Sequence, residues 1–366
     1  MAQLALDGIR VLDLTRVLAG PLCTMMLGDL GAHVLKVERS PRGDDTRGWG
    51  PPFDERGESA YYLSVNRNKL SVAADLRLAR DRELIATLAK DADVVVENFL
   101  PGSLARAGID SAELLRENDK LIWCSITGFG ATSRRPGYDF VVQAESGWMA
   151  ITGEPQGQPM KTGVALADAM AGKDATIAIL AALVGRSGQA HIERHIVVSL
   201  ADSARAALLN VAQNALVSRK GSKRWGNAHA NLVPYQLFQA NDRPIVVAAG
   251  SDEQWLACVR ALGLSELERD PELANNSGRV AHRERIVATL AKLLSTRPAA
   301  TWIEVLDEAR VPCGIVKTVL EAIQDAADAS PLTGMPSSVG GNVRLPPPRM
   351  NEHGELIRRL AWGAFS

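Results

Sequence analysis

The amino-acid sequence predicts an α/β protein, with a doubly wound parallel sheet in a large domain and a smaller α+β domain beside it. Short apolar runs alternate with helical segments through the first third of the chain, which is typical of a parallel sheet covered by helices. From Gly221 the composition changes, and the basic, glycine-containing stretch SRKGSKRWGNAH indicates a domain boundary. A chain of 366 residues with 46% hydrophobic content is long enough to bury two cores.

Six short apolar strands joined by helices account for the large domain. The clearest strand segments are, in order, IRVLDL, HVLKVE, VVVENF, LIWCSITG and HIVVSL. The predicted helices are GPLCTMMLGDLG, a segment over 81–90, a long alanine-rich segment over 168–186 and another over 201–217. Ligands of open α/β sheets bind beyond the carboxyl ends of the strands. The functional loops should therefore be TRVLAGP, ERSPRGDDTRG, ENFLPGSLARAG and TGFGATSRRPGYD.

The smaller domain is predicted from a hairpin and the helices that follow it. The segment YQLFQANDRPIVVAAG is typical of two antiparallel strands, with Asn241 and Asp242 at the turn. The following residues, to about 310, are mostly helical in pattern. Together they indicate an α+β arrangement.

Composition excludes several classes of function. The net charge is −1 with acids and bases interspersed, so the basic surface of a nucleic-acid or membrane binder is missing. The longest apolar stretch, over 175–184, is too short to span a bilayer, and the first residues lack a signal-peptide pattern. Four scattered cysteines resemble neither a disulfide framework nor a zinc site. We therefore expect no nucleic-acid partner, no membrane association and a cytoplasmic location.

No metal site is predicted either. His191 and His195 are four residues apart, as a metal-binding pair on one helix face would be. Their segment, however, continues into a predicted strand, and no third ligand is evident.

The predicted strand-end loops carry arginines and no recognised catalytic motif. GxSxG and GxxxxGK[ST] sequences are both missing. The loop arginines are Arg39, Arg42, Arg106, Arg134 and Arg135. The planar guanidinium group of arginine can donate two hydrogen bonds to phosphate oxygens. These arginines therefore favour a phosphorylated, nucleotide-like ligand, although the alternative is that they are ordinary solvated side chains.

Asp168 is a charge enclosed by small apolar residues in VALADAMAG. One interpretation is a solvated helix position, with Lys173 and Asp174 a turn further on. The other is a carboxylate held for chemistry in a tight, partly dry cleft. The residues alone leave both open.

Motifs along nearly the whole chain resemble those of the class III coenzyme A transferases. This family includes formyl-CoA, carnitinyl-CoA and dicarboxylate CoA transferases and the α-methylacyl-CoA racemases. The similar segments are LDGIRVLDLTRVLAGPLCTMMLGDLGAHVLKVE, GDDTRGWGPP, NRNKLSVAADLR, ADVVVENFLPGSLARAGI, SITGFGATSRRPGYDFVVQAESGWM, TGEPQGQPMKTGVALADAMAGKDATIAILAAL, WGNAHANLVPYQLF, AAGSDEQW, GRVAHRE and VPCGIV. They occur in the family's order as far as about residue 317, which makes the resemblance far more specific than any single motif.

The resemblance implies a domain plan. We expect a large Rossmann-like CoA-binding domain over 1–200, completed by 330–366, and a small α+β domain over 225–317. Linkers would occupy 201–224 and 318–329. It further implies an interlocked homodimer that acts on acyl-CoA and carboxylic acid substrates, with no metal.

The resemblance also implies a nucleophile and a set of coenzyme A contacts. Asp168 corresponds to the nucleophilic aspartate of the AD-x-x-x-G motif, which forms aspartyl anhydride and aspartyl-CoA thioester intermediates. The residues that match the family's coenzyme A contacts are Val17, Leu18, Ala19, Arg39, Ala74, Asp75, Leu76, Arg77, Asn98, Phe99, Leu100, Arg106, Gly137, Tyr138 and Asp139. Gly250, in AAGSDEQW, would belong to a loop that covers the acyl group.

At several positions this chain differs from the family's motifs, and these differences define the alternative substrates and activities. Formyl-CoA transferases have glutamine where this chain has Leu18, which argues against formyl or oxalyl substrates. A lysine of those enzymes aligns with Pro136, so Arg135 would have to take its phosphate role. Racemases need a histidine where Tyr138 stands, and a phenol is a poorer base at neutral pH. The altered loop RSGQAHIER and the short C-terminus leave open a CoA-binding member that has lost turnover.

Overall fold

The computed structural model describes residues 4–186, 193–336 and 339–365. These residues form two compact units. The first comprises the described parts of Met1–Met149, Lys161–Ser222 and Ala326–Ser366, and the second comprises Ala150–Met160 and Lys223–Asp325. Most of the altered loop RSGQAHIER, including His191, lies outside the described residues.

A six-stranded parallel sheet forms the centre of the first unit. Its strands are β1 Arg10–Asp13, β2 His33–Arg39, β3 Lys69–Ala74, β4 Val94–Glu97, β5 Ile122–Thr127 and β6 His195–Ser199. The strand order is β3-β2-β1-β4-β5-β6, and every neighbouring pair is parallel. The connections change direction between β1 and β4, which is the point at which doubly wound sheets bind ligands. The predicted α/β class with a doubly wound parallel sheet is confirmed.

Helices cover both faces of this sheet. The helices of the first unit are α1 Ala19–Asp29, α2 Ala60–Leu63, α3 Ala79–Lys90, α4 Ser103–Arg106, α5 Ser111–Glu117, α6 Asp139–Glu145, α8 Leu166–Arg186, α9 Leu200–Ala206, α10 Leu209–Ser218 and α17 Gly354–Leu360, while α7 Trp148–Ile151 begins in the first unit and ends in the second. Alternation along β4 shows why both faces need cover, because Val94 and Val96 belong to one buried core and Val95 to another.

The second unit has its own sheet and core. Strands β7 Tyr235–Gln239, β8 Pro244–Ala248 and β9 Cys313–Ile315 pair antiparallel in that order. Its helices are α11 Asp252–Ala261, α12 Ser265–Arg269, α13 Asn276–Ala281, α14 Arg283–Leu294, α15 Ala299–Glu308 and α16 Val319–Ile323. The predicted hairpin is confirmed, with Asn241 and Asp242 between its strands.

The C-terminal segment packs on the first unit. Arg344 donates hydrogen bonds to the carbonyl oxygens of Gly28 (2.7 Å) and Ala32 (3.0 Å). The indole N–H of Trp362 donates to the carbonyl of Leu88 (3.0 Å), and its ring joins the core on one face of the sheet.

Two stretches fold differently from the plan drawn from the sequence. The plan assigns 201–224 to a linker, whereas residues 201–218 lie largely within α9 and α10, and Ala201 and Ala204 are buried in the first core. Residues 150–160, which the plan places in the large domain, belong to the second compact unit. The segment of the first unit that contains α9 and α10 ends at Ser222, next to the change of composition at Gly221, so 201–222 belong to this unit and not to a linker.

Candidate active site

Asp168 lies in the first turn of α8, and a second aspartate holds that turn in place. Oδ1 of Asp139, at the start of α6, accepts the backbone N–H groups of Ala167 (2.8 Å) and Asp168 (3.2 Å). Its other oxygen accepts the side-chain amide of Gln143 (2.6 Å). Asp139 thus satisfies N–H groups that a helix N-terminus leaves unpaired, and it fixes the backbone from which Asp168 projects.

The spacing of the AD-x-x-x-G motif has a packing reason. Residues four apart lie on the same face of a helix, so Gly172 is one turn below Asp168 on that face. A Cβ atom at Gly172 would lie 2.6 Å from the carbonyl oxygen of Ala19, at the start of α1. Only glycine therefore lets α8 approach α1 this closely, and the approach brings Asp168 to the loop before α1.

Asp168 opens into a cavity of about 300 Å³ at the carboxyl edge of the sheet. Nine of the residues expected at the site line it: Val17, Leu18, Ala19, Asn98, Phe99, Leu100, Gly137, Tyr138 and Asp168. The sequence did not single out Arg16, Thr127, Ser133 and Leu200, which also line it, although Arg16 stands inside the first loop that was predicted to be functional.

A second cavity of about 280 Å³ adjoins the first. Five expected residues, Arg39, Ala74, Asp75, Leu76 and Arg77, line it. Arg16 and Phe99 line both cavities. The loops after β1 to β5 therefore supply two contiguous spaces, one beside the carboxylate and one beside the arginines.

Three expected residues are not among those that line the two cavities. Arg106 is exposed, donates a hydrogen bond to Ser103 (3.0 Å) and lines neither cavity. Asp139 supports Asp168 through its backbone and is not among the residues that line the cavity. Gly250 belongs to the second unit, where its N–H donates to the side chain of Gln254 (2.8 Å).

The electrostatic setting of Asp168 is unusual for a carboxylate. Burial raises the pKa of Asp168 from 3.8 to about 7, and the negative charge of Asp139 acts in the same direction. Within the described residues, no salt bridge reaches Asp168. Burial, together with the charges of Asp168 and Asp139, also raises the pKa of Tyr61 to about 12, so this phenol stays protonated. No sequence pattern marked Tyr61 as a neighbour of the site.

The arginines around the second cavity form exposed ion pairs. Asp45 pairs with Arg39 (2.9 Å) and Arg16 (3.4 Å), and the side chain of Arg39 is 56% exposed. Arg77 pairs with Asp75 (2.7 Å) and is 84% exposed. Because exposed ion pairs contribute little stability, these guanidinium groups can exchange a carboxylate for a phosphate at low cost.

Two glycines close the wall of the first cavity. Gly128 follows β5 and Gly137 precedes α6, and a Cβ atom on either would overlap the backbone of the other. Their contact brings Tyr138 and Ser133 back to the sheet edge, where both line the cavity.

The part of the chain that the structure describes contains neither a metal-ligand cluster nor a membrane-spanning helix. Across 4–186, 193–336 and 339–365, no cluster of three histidine, cysteine or acidic residues could hold a metal ion. In the same part of the chain, no helix combines the length and apolar character needed to cross a bilayer.

The fold and the paired cavities define an α/β protein with a partly buried, unpaired carboxylate in one cavity and arginines in the cavity beside it. Residues 6–346 match the family model of CoA-transferase family III. The mouse succinyl-CoA:glutarate CoA-transferase is 42% identical over 88% of this chain and 74% of its own length. The succinate–glutarate CoA-transferase of Agrobacterium fabrum is 43% identical over 87% and 82%, respectively. A CAIB/BAIF family protein from Brucella suis superposes with a TM-score of 0.86, 40% identity and coverage of 98% of this chain and 99% of that one.

The chain belongs to CoA-transferase family III and is a CoA-transferase. Its substrates are CoA thioesters, as the resemblance in the sequence implied.

Proposed function

We propose that the protein moves coenzyme A from an acyl-CoA donor to a carboxylic acid acceptor through covalent intermediates on Asp168. The observation that carries this proposal is the position of Asp168, which lines a cavity together with Val17 and Leu18. The pKa of its carboxylate is raised, and no cation pairs with it among the described residues. A carboxylate that is little stabilised by solvent or cations is a stronger nucleophile than an exposed one.

The exchange takes four steps. The carboxylate of Asp168 attacks the thioester carbonyl, the C–S bond breaks, and an aspartyl anhydride and CoA thiolate result. The thiolate then attacks the aspartyl carbonyl, which releases the donor acid as a carboxylate and leaves an aspartyl-CoA thioester. The acceptor carboxylate attacks the carbonyl of this thioester, the C–S bond breaks, and a second anhydride and CoA thiolate result. Return of the thiolate to the acceptor carbonyl yields the new acyl-CoA and regenerates Asp168.

The two cavities fit the two ends of coenzyme A. The adenine end would occupy the cavity lined by Ala74 to Arg77, with its phosphates at Arg39. The pantetheine arm would run past Val17, Leu18 and Ala19 to the thioester beside Asp168. Both cavities lie in the first compact unit and share Arg16 and Phe99, which supports a single ligand that occupies them together.

We propose a dicarboxylic acyl group, such as succinyl, for the donor. Leu18 replaces the glutamine of formyl-CoA transferases, so the first loop lacks a side-chain amide for a very small acid. Arg16 and Arg135 line the carboxylate's cavity, and their exposed ion pairs with Asp45 and Glu145 can be exchanged for a pair with a second carboxylate of the substrate. The relatives from mouse and Agrobacterium fabrum, named for succinyl and glutarate transfer, support the same class of acid.

Racemisation is the less favoured chemistry. Two-sided proton transfer at an α-carbon needs a base opposite the aspartate, and Tyr138 stands where racemases have histidine. Deuterium wash-in at the α-carbon of an acyl-CoA, without any carboxylate acceptor, would identify a racemase.

We further propose an interlocked homodimer in the cytoplasm. Exposed apolar side chains on the first unit support an interface, since Ile177 on α8 is 65% exposed and Leu209 and Val217 on α10 are 73% and 76% exposed. Four free cysteines are in keeping with a reducing compartment. Sedimentation equilibrium should show twice the 39.2 kDa chain mass.

Trapping of the intermediate tests the chemistry. The protein is incubated with succinyl-CoA and hydroxylamine, digested and mapped by mass spectrometry. We expect inactivation together with a hydroxamate on the peptide that carries Asp168, and no adduct in Asp168→Asn. Transfer of CoA at full rate with an unmodified Asp168 peptide would overturn the proposed mechanism.

A further inference from the structure

The loop between β1 and α1 contains a strained residue. Val17 has a φ of 73°, in the left-handed region that β-branched residues rarely adopt. Such strain persists only where the surroundings enforce it. Val17 also lines the cavity of Asp168, so the enforced conformation lies directly beside the site.

Side chains, and not secondary structure, hold this loop. The N–H of Thr15 donates to Asp13 Oδ1 (2.9 Å), and Lys36 Nζ donates to the carbonyl of Thr15 (2.9 Å). The N–H of Val17 donates to Asp44 Oδ1 (3.2 Å). Between them, Asn98 binds the peptide groups of Arg16 on both sides: its Oδ1 accepts the N–H (3.1 Å) and its Nδ2 donates to the carbonyl (2.7 Å).

The charged members of this set are expensive to bury. Lys36 pairs with Asp44 (3.1 Å) and Lys69 pairs with Asp13 (3.0 Å), and all four side chains are almost completely inaccessible. Buried ion pairs add little net stability compared with apolar residues of the same size. The presence of these buried ion pairs is therefore better explained by a role in fixing the loop than by a contribution to stability.

We propose that the side chain of Asn98 is a positioning residue that keeps Val17 in its left-handed conformation and so directs Leu18 and Ala19 to the thioester. The proposal rests on the proposed function, in which this loop lines the pantetheine path. It assigns to the Asn98 side chain a task distinct from the direct coenzyme A contact expected from the family. Asn98 is suited to it because a carboxamide is both donor and acceptor, and Arg16 presents one group of each kind.

The test is whether loss of the Asn98 side chain still weakens binding of coenzyme A when residue 17 can adopt a positive φ without strain. Asn98→Ala is combined with Val17→Gly and, as the matched control, with Val17→Ala. Both changes at position 17 remove the isopropyl group, but only glycine adopts a positive φ freely. The readout is the Kd of coenzyme A by calorimetry, with CoA transfer measured in parallel. If wild-type protein binds coenzyme A yet transfers none, the proposed function fails while this comparison still stands.

In the wild-type and Val17→Ala backgrounds, we expect Asn98→Ala to raise the Kd about tenfold, because the competent loop conformation becomes a minor one. In the Val17→Gly background, the same change should raise it less than about threefold. Equal losses in the glycine and alanine backgrounds would overturn the proposal, since they would indicate a direct contact or a general structural effect.

A second variant guards against a loss of folding. Asn98→Asp keeps the shape and the acceptor for the N–H of Arg16 but removes the donor to its carbonyl. We expect it to weaken binding, with a thermal midpoint close to that of wild type and with rescue by Val17→Gly. Wild-type affinity in both Asn98 variants, or unfolding of both, would refute the assignment.

Discussion

Two aspartates of the first unit have different surroundings: Asp13 is fully buried, and Asp168 is partly buried beside a cavity. Asp13, at the end of β1, is fully buried between Lys69 and Lys36 and accepts hydrogen bonds from Thr15 and Thr24. Burial alone would raise its pKa, but the two lysine charges and the hydroxyl groups hold the pKa of Asp13 well below its usual range. Asp168 has no such partners among the described residues, and its pKa rises to about 7.

In the proposed mechanism, this difference separates a structural carboxylate, Asp13, from the attacking one, Asp168. A carboxylate paired with lysines is stabilised as an anion and is therefore a poor nucleophile, whereas an unpaired one keeps its basicity. The buried lysines thus lie next to Asp13, whereas Asp168, the proposed nucleophile, has no cation to compensate its charge among the described residues. The following predictions test this contrast.

The largest effect should follow loss of the uncompensated carboxylate. Asp168→Asn should lower CoA transfer by at least about 10⁴-fold, because the nucleophile is removed while the shape of the site is kept. Binding of coenzyme A should persist within about threefold, since the arginines of the second cavity are untouched. A coupled assay of succinyl-CoA consumption and calorimetry measure the two quantities. Asp174→Asn, on the same helix, is the control and should retain wild-type turnover; comparable turnover in both variants would refute the role of Asp168.

The compensated carboxylate should matter for stability. Lys69→Met leaves Asp13 buried with one of its two cations removed, which we expect to lower the free energy of unfolding by about 3 kcal/mol. Urea denaturation followed by circular dichroism provides the measurement. Lys173→Met changes an exposed lysine of α8 and should cost less than about 0.5 kcal/mol. Equal stability of the two variants would mean that the buried pair has no structural role.

This contrast also marks the limit of what the sequence could predict. The alternating apolar runs predicted the sheet because that signal is local, whereas Asp168 was singled out by the resemblance of motifs along nearly the whole chain. Lys36 and Lys69 instead stand in segments whose charges are usually solvated, and only the assembly of β1, β2 and β3 brings them to Asp13. Their burial depends on long-range pairing, which no window of sequence contains.

Long-range assembly of the chain also explains why the sequence did not predict the roles of three residues at the site. Arg16 lies within the predicted first loop, yet nothing in TRVLAGP shows that it borders two cavities. Tyr61 comes from α2, far from any predicted strand-end loop, and joins the electrostatics of Asp168 only in the folded chain. Asp139 was expected beside the thioester, and only the folded chain shows that its Oδ1 accepts the backbone N–H groups of Ala167 and Asp168.

The raised pKa of Asp168 should itself cost stability at neutral pH. Its unfolded value is 3.8 and its folded value is about 7, so between these values the folded state binds the extra proton and stability falls as pH rises. An asparagine side chain at this position would be neutral throughout. We therefore expect Asp168→Asn to be more stable than wild type by about 2 kcal/mol at pH 8, with little difference near pH 4. Thermal or urea unfolding at both pH values measures this, and a gain that does not grow with pH would contradict the assignment.

The smallest effect concerns the contribution of Asp139. Transfer requires ionised Asp168, so kcat/KM should rise with pH and level off above about 7, the value that burial and Asp139 together set. Asp139→Asn removes the negative charge but keeps an oxygen that can accept the N–H groups of Ala167 and Asp168. The midpoint of the rise should therefore move to lower pH, by about half a unit, which corresponds to less than about 1 kcal/mol. Because a merely structural defect would lower the plateau without moving the midpoint, the pH profile of kcat/KM distinguishes the two. An unchanged or raised midpoint would show that Asp139 does not act through its charge.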